Sequence, residues 1–184
     1  GFCLPNKGYK ELIQAVYKLR LEDFNIKLTI FCALYRDDFS YVYDELIKLI
    51  YDLKLEKFVS INTEYMENEK TLEKLQDFDC LVFPYQYSNE SSSASVRQGL
   101  ASMTPILVTP LDIFNDVSDV VDFLPGFSPD DIAFGILSFF KLKKNVHKNH
   151  RELNVNREKM ISKRRFSILT KRLIGMIKSL QINH

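Results

Sequence analysis

Between Asn89 and Gly99 the sequence sets a carboxylate, a run of small hydroxyls and an amide side by side: Glu90-Ser91-Ser92-Ser93-Ala94-Ser95-Val96-Arg97-Gln98. Serines in such a run favour a helix start, because a side-chain oxygen there accepts a bond from a backbone N–H that the helix leaves free. The other free N–H groups and the helix dipole favour an anion such as phosphate. Glu90, just outside, has the opposite character. A carboxylate does not hold phosphate but accepts hydrogen bonds from hydroxyl groups. An anion cradle beside a hydroxyl acceptor suits a ligand that carries both a diphosphate and a sugar. From Ser93 to Gln98 a helix rises about 7–8 Å, so one end can address a sugar and the other a nucleoside. Lys7, in the turn Pro5-Asn6-Lys7-Gly8, can reach a diphosphate from the side opposite the serine helix. The bland reading of the same residues is a serine-capped helix, a solvated Glu and a solvated loop Lys.

These residues need a frame that holds them together, and the pattern around them supplies one. Cys80-Leu81-Val82-Phe83 is a short apolar run stopped by Pro84, as in a strand buried on both faces. After the polar loop 85–89 a helix presents Val96, Gly99, Leu100 and Met103 as its inner stripe, with Ser92, Ser95 and Gln98 on another face. Thr104-Pro105 breaks it, and Ile106-Leu107-Val108 starts the next strand. Further strands are expected at 1–4, 26–35, 58–62 and 120–124. The intervening helices are expected at 9–21, with Leu12, Val16 and Leu19 inward, at 37–55, and at 69–76. The 37–55 helix turns Phe39, Val42, Leu46, Ile50 and Leu53 inward and leaves Tyr41, Tyr43 and Tyr51 on its surface. Ser128-Pro129-Asp130-Asp131 is a helix start with Ser as cap, Pro first and acids in the first turn. That helix buries Ile132, Ile136, Leu137 and Phe140. Residues 141–156 read as a polar connector and 157–180 as a last helix striped by Phe166, Leu169, Leu173, Ile177 and Leu180. Strands alternating with helices imply an α/β fold, a doubly wound, Rossmann-like parallel sheet with right-handed crossovers. Ligands of such sheets bind outside the carboxyl ends of the strands, where Lys7 and Glu90 both fall.

The stretch 90–97 followed by Pro105-Ile106-Leu107-Val108-Thr109-Pro110 resembles the donor-binding, C-terminal half of the family 4 (group 1) glycosyltransferases, which have the GT-B fold. The likeness runs from residue 1 to about residue 140 in consistent order. Lys7-Gly8 matches the family's Lys-Gly after the first strand, and Ile113-Phe114-Asn115-Asp116-Val117 its short helix after the fifth. The family's hallmark is Glu, seven residues, then Glu. Glu90 fits the first, but Gln98 stands at the second, and Phe2 occupies the place of an Arg that shares the work of the Lys. The resemblance implies a retaining transfer from a nucleotide sugar without a bound metal or other cofactor. On that reading Lys7 and Glu90 are catalytic, Ser91, Ser92, Ser93, Ala94 and Gln98 bind substrate, and Tyr65 lies near the nucleotide base. The acceptor, a glycan or lipid-linked glycan, would be bound by another half preceding this one. Gly1 falls inside what should be the first strand, so the chain reads as a fragment of a larger protein.

Composition sets outer bounds. At 46% apolar and 27% charged residues, the chain is a globular domain rather than a disordered one, and no apolar run approaches a membrane span. Residues 1–142 read as the nucleotide-sugar-binding domain and 143–184 as a basic connector and helix that packs back on the fold. Residues 141–184 carry 13 Lys and Arg against Glu152 and Glu158, a balance of +11, while the remainder has 12 basic and 22 acidic residues, −10. Such a tail suits an acidic partner, either an anionic membrane surface or the body of its own protein. Its exposed charges would be Lys163, Arg164, Arg165, Lys171 and Arg172. Cys3, Cys32 and Cys80 sit in apolar segments and fit neither a metal nor a disulfide framework, so buried free thiols in a reducing cytoplasm are expected; the resemblance, with the basic tail, implies a peripheral place at the inner membrane face. His147, His150 and His184 have no ligand pattern around them, and no nucleic acid partner is expected. Two other readings compete with the enzyme. One is a degenerate site kept for binding, which Gln98 and Phe2 favour. The other is an unrelated doubly wound domain such as a receiver or flavin protein, which the Asp37-Asp38 pair superficially invites.

Overall fold

The computed structural model describes residues 1–34, 39–145 and 149–163, with 170–171 and 173–174. Residues 1–4 run extended and join the neighbouring strand through one parallel bridge, Phe2 with Ala33. They do not form the strand expected there. A 3-10 turn, Pro5–Lys7, ends at Gly8, whose φ of 71° is left-handed. Gly8 is required here, since a Cβ would run into the Pro84 carbonyl.

From Gly8 the chain enters α1 (Tyr9–Leu21), which buries Leu12, Ile13, Ala15, Val16 and Leu19. Then follow β1 (Leu28–Phe31), α2 (Ser40–Asp52), β2 (Val59–Asn62), α3 (Asn68–Gln76), β3 (Leu81–Phe83), α4 (Ala94–Ala101) and β4 (Ile106–Val108). A 3-10 segment, Asp112–Val120, precedes β5 (Asp122–Phe123), and α5 (Pro129–Asn145) and α6 (Asn149–Lys163) complete the described chain. Every ladder is parallel: β1 with β2, β3 with β4, and β4 with β5.

Three apolar clusters hold these layers. Leu12, Ala15 and Leu19 of α1 meet Ile132 and Ile136 of α5 over Leu107 on one face of the sheet. On the opposite face Val96 and Leu100 of α4 pack with Ile106, Val108 and Phe114, and Met160 of α6 leans on the same cluster. The third joins Ile13 and Val16 to Ile30, Val59 and the α2 stripe Val42, Leu46 and Ile50. Each such aliphatic side chain contributes about 1.5–3 kcal/mol by leaving water. Helices on both faces of a parallel sheet make the fold doubly wound, as the sequence pattern implies.

Several boundaries differ from the pattern. α4 stops at Ala101, and Met103 lies beyond it in a left-handed turn (φ 64°), half-buried, instead of extending the helical stripe. Val120 belongs to the 3-10 segment, which leaves β5 only two residues. Residues 149–156 are helical and not a connector, since α5 runs to Asn145 and α6 starts at Asn149. On α5 Phe139 is buried and Phe140 only partly so. Tyr43 is half-buried against the core, unlike the exposed Tyr41 and Tyr51. Cys3 and Cys32 are fully buried, whereas Cys80 is only partly so. Asp37-Asp38 and most of the 164–180 stripe, with Phe166, Leu169, Ile177, Leu180, Arg164, Arg165 and Arg172, lie outside the described residues. Among the described residues, no helix is long and apolar enough to cross a membrane.

Candidate functional site

A 750 Å³ cavity opens at the carboxyl ends of the strands, between the Lys7 turn, the start of α4 and the loop that enters α3. This is the size range of small-molecule sites. Its wall includes Lys7, Tyr65, Glu90, Ser93, Ala94 and Gln98. Ser91 and Ser92 are not part of that wall.

Ser93 caps α4: its Oγ accepts from the Val96 N–H at 3.3 Å and lies 3.2 Å from the Tyr85 hydroxyl. The cap is buried, and its bond with Tyr85 fixes where the helix begins. Tyr85 is held in turn through its backbone, whose carbonyl accepts from Thr109 Oγ1 at 2.6 Å. The free first turn of α4 therefore opens into the cavity from a rigid seat.

Opposite it stands Lys7. Its side chain is only 7% exposed, and its ammonium rests 3.9 Å from the centroid of the Tyr85 ring. Among the described residues no carboxylate lies within ion-pair distance of it. A cation–π contact of this kind contributes about 0.5–2 kcal/mol. The site thus holds a buried cation that a mobile anion would neutralise. Tyr9, which also flanks the Lys7 turn, donates its hydroxyl to the Phe2 carbonyl at 2.9 Å, and burial pushes its pKa upward.

Glu90 is exposed on the loop before the cap, and its backbone N–H donates to Ser88 Oγ at 3.2 Å. Gln98, one turn along α4, donates through Nε2 to Asn68 Oδ1 at 3.1 Å. That bond leaves the Gln98 carbonyl oxygen as its acceptor. Tyr65 is 80% exposed on the rim, so its ring is free to lie against a flat ligand.

Sequence reasoning missed three members of this wall. Asn68 orients Gln98, Tyr85 carries Lys7, and Arg97 donates to both the Ser93 carbonyl and Asp116. Tyr85 falls in a stretch whose composition reads as a polar loop, and nothing in the sequence sets it apart from the neighbouring Tyr87. The Asn68–Gln98 bond joins residues thirty apart and had no sequence signal.

No protein-family model matches the chain, and no curated protein matches it. Solved structures do. A glycosyltransferase from Rickettsia africae ESF-5 matches at a TM-score of 0.80 and 13% identity, over 100% of this chain and 47% of that one. HepE of Anabaena, solved in complex with UDP, matches at a TM-score of 0.71 and 13% identity, over 97% of this chain and 47% of that one. The C-terminal domain of the group 1 family glycosyl transferase LpcC from Francisella tularensis matches at a TM-score of 0.65 and 14% identity, over 83% and 80%. The chain spans about half the length of the first two. Its structure matches the GT-B glycosyltransferases, and its fold is that of their C-terminal domain.

Proposed function

We propose that this domain binds the nucleotide-diphosphate part of a sugar donor and serves as the donor-binding half of a retaining glycosyltransferase. The observation that carries the reading is Lys7, a buried ammonium with no carboxylate partner among the described residues, facing a serine-capped helix start across a cavity of ligand size. Two electropositive groups converging on one space favour a diphosphate. In transfer, the departing diphosphate gains charge, and Lys7 with the α4 amides stabilises it electrostatically. Glu90, on the exposed side of the same cavity, accepts bonds from sugar hydroxyls and orients the anomeric carbon. The Gln98 carbonyl oxygen accepts from a ribose hydroxyl, and Tyr65 covers the base. The acceptor, a glycan or lipid-linked glycan, is held by a preceding acceptor-binding half, and the basic residues 141–184 favour an anionic leaflet at the inner membrane face. Co-sedimentation with anionic and neutral vesicles tests that last element. Equal binding to both would remove it.

Titration calorimetry of the chain with UDP, the nucleotide bound by the Anabaena protein, tests the central reading, with GDP and ADP as comparators. Saturable binding of at least one nucleoside diphosphate is expected. No heat at millimolar ligand would refute it. A non-catalytic binding domain is the second reading, favoured by Phe2 on the cavity wall and by the engagement of Gln98 with Asn68. Donor binding without sugar transfer, measured with both halves present, would select it.

A further inference from the structure

The first turn of α4 settles two of its four N–H groups within itself. The Val96 N–H donates to Ser93 Oγ at 3.3 Å, and the Arg97 N–H donates to the Ser93 carbonyl at 3.3 Å. Those of Ala94 and Ser95 come too early in the helix to have an intrahelical acceptor, and both residues line the cavity.

What the Ala94 N–H offers a ligand depends on the other end of its own peptide unit. The Ser93 carbonyl and the Ala94 N–H lie in one plane and point in opposite directions. Fixing the carbonyl therefore aims the N–H. This carbonyl carries more than the helix requires, since it also accepts from Arg97 Nη1 at 3.2 Å. One residue thus holds it twice, through backbone and side chain. A cation on the carbonyl also draws electron density along the peptide, and hydrogen bonds joined in this way strengthen one another.

Asp116 accounts for the guanidinium lying on the carbonyl and not in the cavity. Arg97 belongs to the cavity wall, and its side chain is 37% exposed. Its Nη2 donates to Asp116 Oδ2 on the 3-10 segment. The carboxylate also cancels much of the guanidinium's field at longer range. Arg97 therefore acts on a ligand through the peptide it touches more than through space.

We propose, on the basis of the diphosphate reading above, that Arg97 is a positioning residue for that group. It aims and polarises the Ala94 N–H through the Ser93 carbonyl, while Asp116 keeps the guanidinium on that carbonyl.

The test compares the full chain with Arg97→Met, Asp116→Asn and the double variant. UDP affinity is read by calorimetry, and the Ala94 amide proton shift by NMR without ligand. Arg97→Met is expected to weaken UDP about fivefold or more and to move the Ala94 proton upfield. Asp116→Asn leaves the cation on the carbonyl, so UDP affinity should stay within about twofold. The double variant, which lacks both charges, should bind UDP as weakly as Arg97→Met. A tie that merely steadied the fold would give Arg97→Met and Asp116→Asn the same affinity, and that equality would overturn the proposal. Recovery of parental affinity by the double variant would also overturn it, since only net charge would then matter. If the parent itself binds no UDP, the diphosphate reading fails, and the Ala94 proton decides. Its movement in Arg97→Met supports the contact through the peptide, and an unchanged shift overturns it. Should Arg97→Met not fold, Arg97→Gln takes its place with the same expectations.

Discussion

The Lys7 ammonium lies 3.9 Å from the centroid of the Tyr85 ring, and the hydroxyl of that ring lies 3.2 Å from the Ser93 oxygen that caps α4. One aromatic side chain therefore sets the spacing between a buried cation and a helix start. It does so from the residues that directly follow β3. Tyr85 is itself buried and makes tilted contact with Phe114.

Replacing Lys7 by Met tests the cation alone. Lys7→Met is expected to weaken UDP binding about 10–100-fold, the range of a lost charge-assisted phosphate contact. Stability in urea is expected to stay level or rise, because a buried charge without a carboxylate partner among the described residues is replaced by an apolar chain of similar length. A large stability loss with unchanged UDP affinity would make Lys7 a structural residue.

Glu90 carries the opposite expectation. It is exposed and outside the helix cap, so Glu90→Ala should leave UDP affinity within about twofold while weakening the intact nucleotide sugar by about tenfold. Parallel calorimetric titrations of the two ligands read the difference. Equal losses for both would withdraw its assignment to the sugar.

At Gly8 the backbone is left-handed, and a Cβ would meet the Pro84 carbonyl. Gly8→Ala is expected to cost at least about 2 kcal/mol, combining backbone strain with a steric clash that only backbone movement relieves. Urea denaturation of the variant measures it directly. A loss below about 0.5 kcal/mol would show that the turn re-forms with other angles.

Ser128 and Asp131 form a reciprocal cap on α5: Asp131 N donates to Ser128 Oγ at 3.1 Å, and Ser128 N donates to Asp131 Oδ2 at 3.1 Å. Ser128→Ala is expected to cost about 1 kcal/mol. Hydrogen bonds from Ser128, its hydroxyl foremost, hold the Asp131 carboxyl below its ordinary value of 3.8. The folded pKa thus lies under the unfolded one. The contribution is present above the unfolded value and lost as pH falls through the folded one. Thermal unfolding between pH 5 and pH 2 should therefore show a shallower acid-side decline in Ser128→Ala than in the parent. Matching slopes would disprove the coupling.

How much of this was legible follows from how local each feature is. The Ser128-Pro129-Asp130-Asp131 start and the 9–21 helix could be read outright, since capping chemistry and a 3.6-residue stripe are sequence-local. The α4 stripe ends one member earlier than the 3.6-residue pattern predicts. Gly99 and Leu100 continue inward, but Met103 takes a left-handed turn that brings Thr104 Oγ1 within 2.8 Å of the Leu75 carbonyl. Lys7, Glu90, Ser93 and Gln98 could be picked out by residue type, while the Tyr85 seat could not. Its role depends on two contacts formed only when residues 7, 85 and 93 converge. The 149–156 helix was obscured by its polar composition, which periodicity reads as a connector.

Arg97 binds the first turn of α4 to a distant part of the fold. Its guanidinium donates to the Ser93 carbonyl at 3.2 Å and to Asp116 of the 3-10 segment, and α6 rests against that same segment. The linkage is kinematic. Tipping the opening turn of α4 pulls on the 3-10 segment through this ion pair, and α6 packs against that segment. Force applied to α6 thus reaches the wall of the large cavity by two routes, through the 3-10 segment and Arg97, and through the packing of Met160 against the cluster that holds Val96 and Leu100 of α4.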